Sequence, residues 1–216
     1  MDQRAAAIIV AGGSGTRFGG PVNKVYRELD GKPVLRWSLE TLSPLFGTVV
    51  VVSRPEDADL LAPVVAGIAV RHAAGGRSRT ESERSGLEAL RPNIELGEVD
   101  VVAIHDGARP FLKAALVTEL VHTARLVGGA VPGYPILKGS GSQDGSATYE
   151  LPGHGRVCVQ TPQVFRAAGL LEAFDRAPGF EAADTASLIR EHSDVDIALV
   201  YADATNRKIT FPDDLE

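Results

Sequence analysis

The chain has 216 residues, 44% hydrophobic and 23% charged, with 22 Lys+Arg against 28 Asp+Glu for a formal net charge of −6. That balance fits one globular domain with a sizeable core and excludes a general nucleic-acid binder, which needs a net basic field. One cysteine, Cys158, excludes an internal disulfide and a cysteine-built metal site. No basic leader precedes an apolar segment, and no apolar run approaches ~18–20 residues, so a cytoplasmic protein without membrane spans is expected.

Short apolar, β-branched runs predict strands at 5–11 (AAAIIVA), 48–53 (TVVVVS), 68–73 (IAVRHA), 100–105 (DVVAIH), 129–135 (GAVPGYP) and 195–202 (VDIALVYA). Helices are predicted between them. The stretch 31–45 carries Val34, Leu35, Leu39 and Leu42 at helical spacing, with Pro33 suited to a first turn. Segment 78–90 offers two capping boxes, Ser78 with Glu81 and Thr80 with Glu83. Residues 113–127 and 167–177 complete the helical set. Strands alternating with helices imply an α/β fold, a Rossmann-like, mostly parallel sheet with helices on both faces, in one domain over 1–216. Residues 133–160 interrupt the alternation with a Gly- and Ser-rich stretch holding β-like pieces at 147–151 and 156–159. This stretch reads either as a protruding β-arm or as a surface loop.

Such sheets bind ligands at the C-terminal ends of their strands, so the loops leaving the first, third and fourth runs are the candidate site. The first loop, AGGSGTRFGGPVNK (11–24), misses both common phosphate spellings. G-x-G-x-x-G fails at Phe18, and no glycine leads into G-x-x-x-x-G-K-[ST]. That failure counts against a nicotinamide-dependent oxidoreductase. Small residues Ala11, Gly12, Gly13, Ser14 and Gly15 still let backbone N–H groups approach phosphate oxygens. Arg17 adds a planar fork of donors and Lys24 a mobile charge. The alternative is a structural turn with two solvated cations. In the second loop, Gly75 and Gly76 permit close approach of a base or ribose. Arg79 and Ser82 stand at a helix start, where an anion or sugar hydroxyl is favoured; ordinary capping explains them equally. In HDGARP (105–110), Asp106 ends a strand, where a carboxylate holds Mg²⁺ while phosphates supply the remaining ligands. Arg109 could meet an acidic substrate, or the two could simply pair. Lys208, preceded by Asn206, alone reads as a solvated lysine. No histidine spacing suits a metal, no serine stands in a nucleophile elbow, and Cys158 has no evident base beside it.

In order along almost the whole chain stand AGGSGTRFGG…NK, DGKPVLRWSLETL, GGRSRTES, HDGARPFL, QTPQVF, DTASL and NRKITFPDDL. This ensemble resembles the sugar-alcohol-phosphate cytidylyltransferases of the nucleotide-diphospho-sugar transferase type. The nearest family is 2-C-methyl-D-erythritol 4-phosphate cytidylyltransferase, with ribitol-5-phosphate cytidylyltransferase a close relative. The resemblance implies an enzyme of isoprenoid precursor synthesis that joins CTP to a polyol phosphate with Mg²⁺, releasing diphosphate without a covalent intermediate. It implies Arg17, Lys24 and Lys208 as catalytic cations and the two glycine loops, Arg79, Ser82 and Asp106 as nucleotide contacts. Asp106 is also the implied metal ligand, and Arg109 and Thr161 the implied acceptor contacts. Segment 133–160 is implied to cross a homodimer interface and complete the neighbour's acceptor site.

The chain departs from the family pattern at four points. Asn23 stands where the family usually has proline before the lysine, and Val25 where it has glutamine. The arm lacks an Asp-Thr pair, and Gly153 occupies the place expected for an arm arginine, a role left to Arg156. These departures keep two alternatives in view: another acceptor such as ribitol 5-phosphate, or a CTP-binding homologue without turnover.

Overall fold

The structure is a computed structural model that describes residues 1–13, 18, 22–137, 141–142, 144–151, 153 and 155–215. In chain order the strands and α-helices are β1 (Asp2–Val10), β2 (Glu28–Leu29), β3 (Lys32–Pro33), α1 (Val34–Leu42), β4 (Phe46–Ser53), α2 (Ala58–Val65) and β5 (Arg71–Ala74). They continue with α3 (Arg79–Glu88), α4 (Arg91–Glu95), β6 (Val101–Asp106), α5 (Ala114–Val127), β7 (Gly128–Pro135), β8 (Thr148–Leu151) and β9 (Gly155–Val159). Last come β10 (Gln163–Arg166), α6 (Ala167–Arg176), α7 (Thr185–His192) and β11 (Asp196–Tyr201).

Among the described residues nine strands form the central sheet in the order β5-β4-β1-β6-β10-β7-β9-β8, with β11 also paired to β7. Strands β5, β4, β1 and β6 pair in parallel, as do β7 and β11. Two strands, β10 and β9, run against the rest. The sheet is thus mostly parallel, as its apolar runs predict, with one insertion they do not announce: β10 enters antiparallel between β6 and β7.

Alternation along the central strands divides the core. Ala5, Ala7 and Ile9 of β1, Val49 and Val51 of β4, and Val101 and Ala103 of β6 face one cluster, where Leu35, Leu39, Leu120 and Val121 of α1 and α5 join them. Ala6 and Ile8, Val50 and Val52, and Val102 and Ile104 face the other, with Leu87, Leu170, Phe174, Leu188 and Ile189 from the second helical layer. Strands buried on both faces must be apolar throughout, which is why β1, β4 and β6 read as continuous runs. Each fully buried isoleucine contributes about 1.5–3 kcal/mol.

The helical layers place the site. Helix α3 lies so close to the sheet that a Cβ at Gly86 would stand 2.5 Å from Cγ2 of Ile8 and 2.9 Å from Cγ2 of Val52. That approach brings the first turn of α3 to the C-terminal end of β1. Ser78 caps this helix by accepting from the Glu81 amide. Thr80 does not act as a cap: it lies inside the helix, and its Oγ1 accepts from the Ala182 amide instead. The segment after β7 forms the β8–β9 hairpin, which extends the main sheet along β7. Among the described residues no helix is long and apolar enough to cross a membrane.

Candidate nucleotide site

Val10 at the end of β1 is in register with Val52 of β4 and Asp106 of β6. The loops leaving these strand ends therefore share one edge of the sheet. They enclose a cavity of about 460 Å³ whose described lining includes Gly12, Gly13, Lys24, Gly76, Arg79 and Lys208, with Ser82 and Asp106 at its wall. Motifs scattered along the sequence thus meet at one place. Of the predicted nucleotide residues, Ser14, Gly15 and the catalytic candidate Arg17 lie outside the described residues. Ala11 is buried beneath the cavity, its amide donating to Val52 O at 2.7 Å. Gly75 donates to Ser53 O at 2.8 Å. Gly76 is packed so tightly that a Cβ there would meet Cβ of Glu81 at 2.3 Å. Ser82 Oγ accepts from the Gly76 amide at 3.1 Å and donates to Ser78 O at 2.8 Å, so it fixes the second glycine loop on α3.

Asp106 is the electrostatic centre. Its Oδ1 accepts from Nη1 of Arg79 at 2.5 Å, and Nζ of Lys208 lies 2.9 Å from Oδ2. Nε of Arg109 lies 3.7 Å away. Burial alone would raise the Asp106 pKa, but Arg79, Lys208 and Arg109 together hold it well below the carboxylate range. Lys208 shows the reciprocal balance. Asp106 pulls its pKa up, while burial and the charges of Arg79 and Arg109 outweigh that pull and leave it below its ordinary value.

Glu83 is not legible as a site residue in the sequence, yet it holds the other edge of the same guanidinium. Nε of Arg79 donates to Oε1 of Glu83 at 2.7 Å, and Thr185 Oγ1 donates to Oε2 at 3.0 Å. Burial pushes the Glu83 pKa up, against the pull of Arg79 and Thr185. The signal that could have paired it with Arg79 is its position one turn later on the same helix. Arg54 also lines the cavity without having been predicted; it is held by two hydrogen bonds, of 3.0 and 2.9 Å, to Asp57.

The acceptor candidates sit deeper. Thr161 Oγ1 accepts from the Asp106 amide at 3.0 Å and lies 3.2 Å from His105 Nδ1, so it fixes the end of β6. Arg109 is 1% exposed. Its Nη1 donates to Asn206 O at 2.8 Å and to Asp144 Oδ2 at 3.1 Å, and its Nη2 to Ser146 Oγ at 2.5 Å. The segment before the hairpin thus closes on its own chain. Arg156 stands on β9, where its Nη2 donates to Thr148 Oγ1 at 3.1 Å, and it is not among the described residues lining the cavity. Gly153, in the turn between β8 and β9, has φ +77°, a conformation that an arginine at this place would adopt under strain.

This arrangement suits a polyanion. Glycine backbone and several cations face one cavity, and no histidine or cysteine stands among its described lining residues. The sequence profile of the family described as 2-C-methyl-D-erythritol 4-phosphate cytidylyltransferase matches residues 5–216. The chain belongs to this family. It is 39% identical to the "Bifunctional enzyme IspD/IspF" of Rhodopseudomonas palustris (strain BisA53), over 98% of this chain and 54% of that protein. It is 35% identical to the 2-C-methyl-D-erythritol 4-phosphate cytidylyltransferase of Solibacter usitatus, over 99% of this chain and 93% of that one. Among solved structures, the 2-C-methyl-D-erythritol 4-phosphate cytidylyltransferase of Thermus thermophilus matches with TM-score 0.71 and 31% identity, over 97% of this chain and 94% of that one. The chain spans about half the length of the bifunctional relatives.

Proposed function

We propose that this chain transfers the cytidylyl group of CTP to 2-C-methyl-D-erythritol 4-phosphate. An acceptor phosphate oxygen attacks the α-phosphorus of CTP, the bond from that phosphorus to the bridging oxygen breaks, and diphosphate leaves. The observation carrying this reading is the cation cluster on Asp106 at the wall of a cavity of about 460 Å³ that Gly12, Gly13 and Gly76 also line. On this reading Gly12, Gly13 and Gly76 admit the nucleotide, and Arg17, Lys24 and Lys208 meet the charge that develops on the phosphoryl oxygens. No cluster of three metal-ligating side chains exists among the described residues. On this reading Asp106, whose two oxygens are ion-paired with Arg79 and Lys208, would give up one of these pairs to hold Mg²⁺ arriving with CTP, with phosphates as the other ligands. Bound there, Mg²⁺ supplies charge neutralisation. The chain is read as a cytoplasmic homodimer joined through 133–160, with the β8–β9 hairpin staying on its own sheet and presenting its outer face to the partner.

A second reading, transfer to another polyol phosphate such as ribitol 5-phosphate, draws on Arg109. Its donors are held by Asp144 and Ser146 of a segment that lacks the expected Asp-Thr pair. Diphosphate release from CTP and Mg²⁺, measured across a panel of polyol phosphates, separates the readings. Selective release with 2-C-methyl-D-erythritol 4-phosphate supports the first and preference for ribitol 5-phosphate the second. CTP binding with no release for any acceptor overturns both.

A further inference from the structure

Asn23 joins the two ends of the first glycine loop. It is 4% exposed. Its Nδ2 donates to Ala11 O at 2.8 Å and to Gly13 O at 2.9 Å, and its Oδ1 accepts from the Val25 amide at 3.3 Å. One carboxamide therefore satisfies three backbone groups, two at the start of the loop and one just past its end. The chain is firmly held on both sides. Before the loop, the Ala11 amide is bonded to β4. After it, Val25 and Tyr26 are buried in the core within a single 3-10 turn, Lys24–Tyr26, that Asn23 caps. Between these anchors stand Gly12, Gly13 and Lys24, all lining the cavity.

We propose that Asn23 is a positioning residue for the nucleotide half of the reaction. It fixes Lys24 against the Gly12–Gly13 backbone, so that this charge and these backbone atoms face one triphosphate. The inference rests on the functional reading above and adds to it a division of labour: Asn23 acts on CTP and not on the acceptor, whose candidate contacts Arg109 and Thr161 lie on other elements. The chemistry required at this position is specific. Two hydrogen-bond donors must face two carbonyls while an acceptor faces an amide, which an unprotonated carboxyl or a methyl group does not provide.

The test compares Asn23→Ala and Asn23→Asp with the unmodified protein by steady-state diphosphate release, CTP calorimetry and thermal unfolding. Asn23→Ala is expected to raise KM for CTP at least tenfold, about 1.4 kcal/mol, with KM for the acceptor within twofold. Asn23→Asp keeps the size and the Val25 contact but turns one carboxylate oxygen toward the two carbonyls that Nδ2 now serves. It is expected to bind CTP more weakly than Asn23→Ala at pH 8 and to regain part of the affinity, relative to the unmodified protein, toward pH 5.5, because burial against two carbonyls raises the carboxyl's pKa and the protonated form donates to one of them. A purely structural role would lower the melting temperature and the active fraction without this split or this pH-dependent recovery. CTP affinity within twofold in both variants, or acceptor KM rising in parallel, overturns the proposal. If the unmodified protein releases no diphosphate with any acceptor, the functional reading fails separately. Hydrogen exchange on the ligand-free protein then decides the positioning: faster exchange confined to residues 11–25 in Asn23→Ala supports it, and unchanged exchange there overturns it.

Discussion

Arg79 and Asp106, 27 residues apart in the chain, meet at 2.5 Å, and Glu83 takes the opposite edge of the same guanidinium at 2.7 Å. A cation shared by two buried carboxylates has its orientation fixed from both sides. Removing Glu83 leaves Arg79 with one anchor and leaves Thr185 Oγ1 without its acceptor. Breaking a buried pair by removing one partner costs about 3–5 kcal/mol. Glu83→Ala is therefore expected to lose on the order of 3 kcal/mol in urea unfolding and to raise KM for CTP several-fold. Glu83→Gln, which still accepts from Nε of Arg79, is expected to lose less of both. Equal stability of the two variants and the unmodified protein would show that Glu83 does not hold the cluster.

Asp106 has its two oxygens divided between Arg79 and Lys208. It touches both of these candidate nucleotide cations, and it is the proposed metal ligand. Asp106→Asn keeps the shape and removes the charge. Its kcat is expected to fall at least a hundredfold, about 2.7 kcal/mol of barrier, with a higher Mg²⁺ concentration needed for half-maximal rate. Chelation of Mg²⁺ is expected to stop turnover in the unmodified protein. Titrating Mg²⁺ in both proteins checks the assignment, and an unchanged Mg²⁺ requirement in Asp106→Asn would remove Asp106 as the ligand.

What is legible in the sequence follows from what each feature requires locally. Strands β1, β4 and β6 announce themselves because burial on both faces demands unbroken apolar runs. Helix α2 escapes the sequence reading because Pro63 lies inside it and it has only eight residues. Helix α7 escapes it because its capping box is Asp184 with Ser187, whereas the sought pattern is Ser or Thr followed by Glu. Strand β10 has only four residues and takes its place from neighbours distant in sequence. Within the site, the glycines and cations are visible one motif at a time. Their pairing is not, because the Asp106 contacts to Arg79 and Lys208 exist only once α3, β6 and the C-terminal segment have packed. Asn23 reads as a departure before a lysine, and its three backbone partners become apparent only when the loop ends are brought together.

Asp144 occupies donors at Arg109 and Lys208, which the proposed function assigns to phosphate binding. Its Oδ2 accepts from Arg109 Nη1 and from the Lys208 amide, both at 3.1 Å, while its carbonyl accepts from Thr210 Oγ1 at 3.0 Å. On the proposed function, binding the acceptor at Arg109 means displacing this carboxylate. Asp144→Ala removes the competitor and is expected to lower KM for the acceptor about threefold or more, with KM for CTP unchanged. Steady-state kinetics with each substrate varied in turn measures both. A rise in acceptor KM would instead make Asp144 a support for Arg109.

His105, beside Thr161 at the end of β6, links the wall of the site to the stability of the whole fold. It is fully buried, its Nδ1 lying 3.2 Å from Thr161 Oγ1 and its Nε2 3.3 Å from Ser38 Oγ. Burial, aided by the charge of Arg109 and opposed by Asp106, lowers its pKa from 6.5 to about 4. Between those values the unfolded chain holds a proton that the folded chain does not. Stability therefore rises with pH through this window, is complete above about 6.5 and is lost as pH falls toward about 4. From these two values the folded protein is expected to be about 2 kcal/mol less stable at pH 5 than at pH 7 on account of His105. Glu83, whose pKa is raised by burial, slopes the other way, so the contribution of His105 is isolated by comparing the unmodified protein with His105→Gln. That variant loses some stability at both pH values through its altered contacts with Ser38 and Thr161. Its loss between pH 7 and pH 5 is expected to be smaller by about the same 2 kcal/mol. Urea unfolding at the two pH values measures the difference, and equal slopes in the two proteins would show that His105 takes up its proton in the folded chain as readily as in the unfolded one.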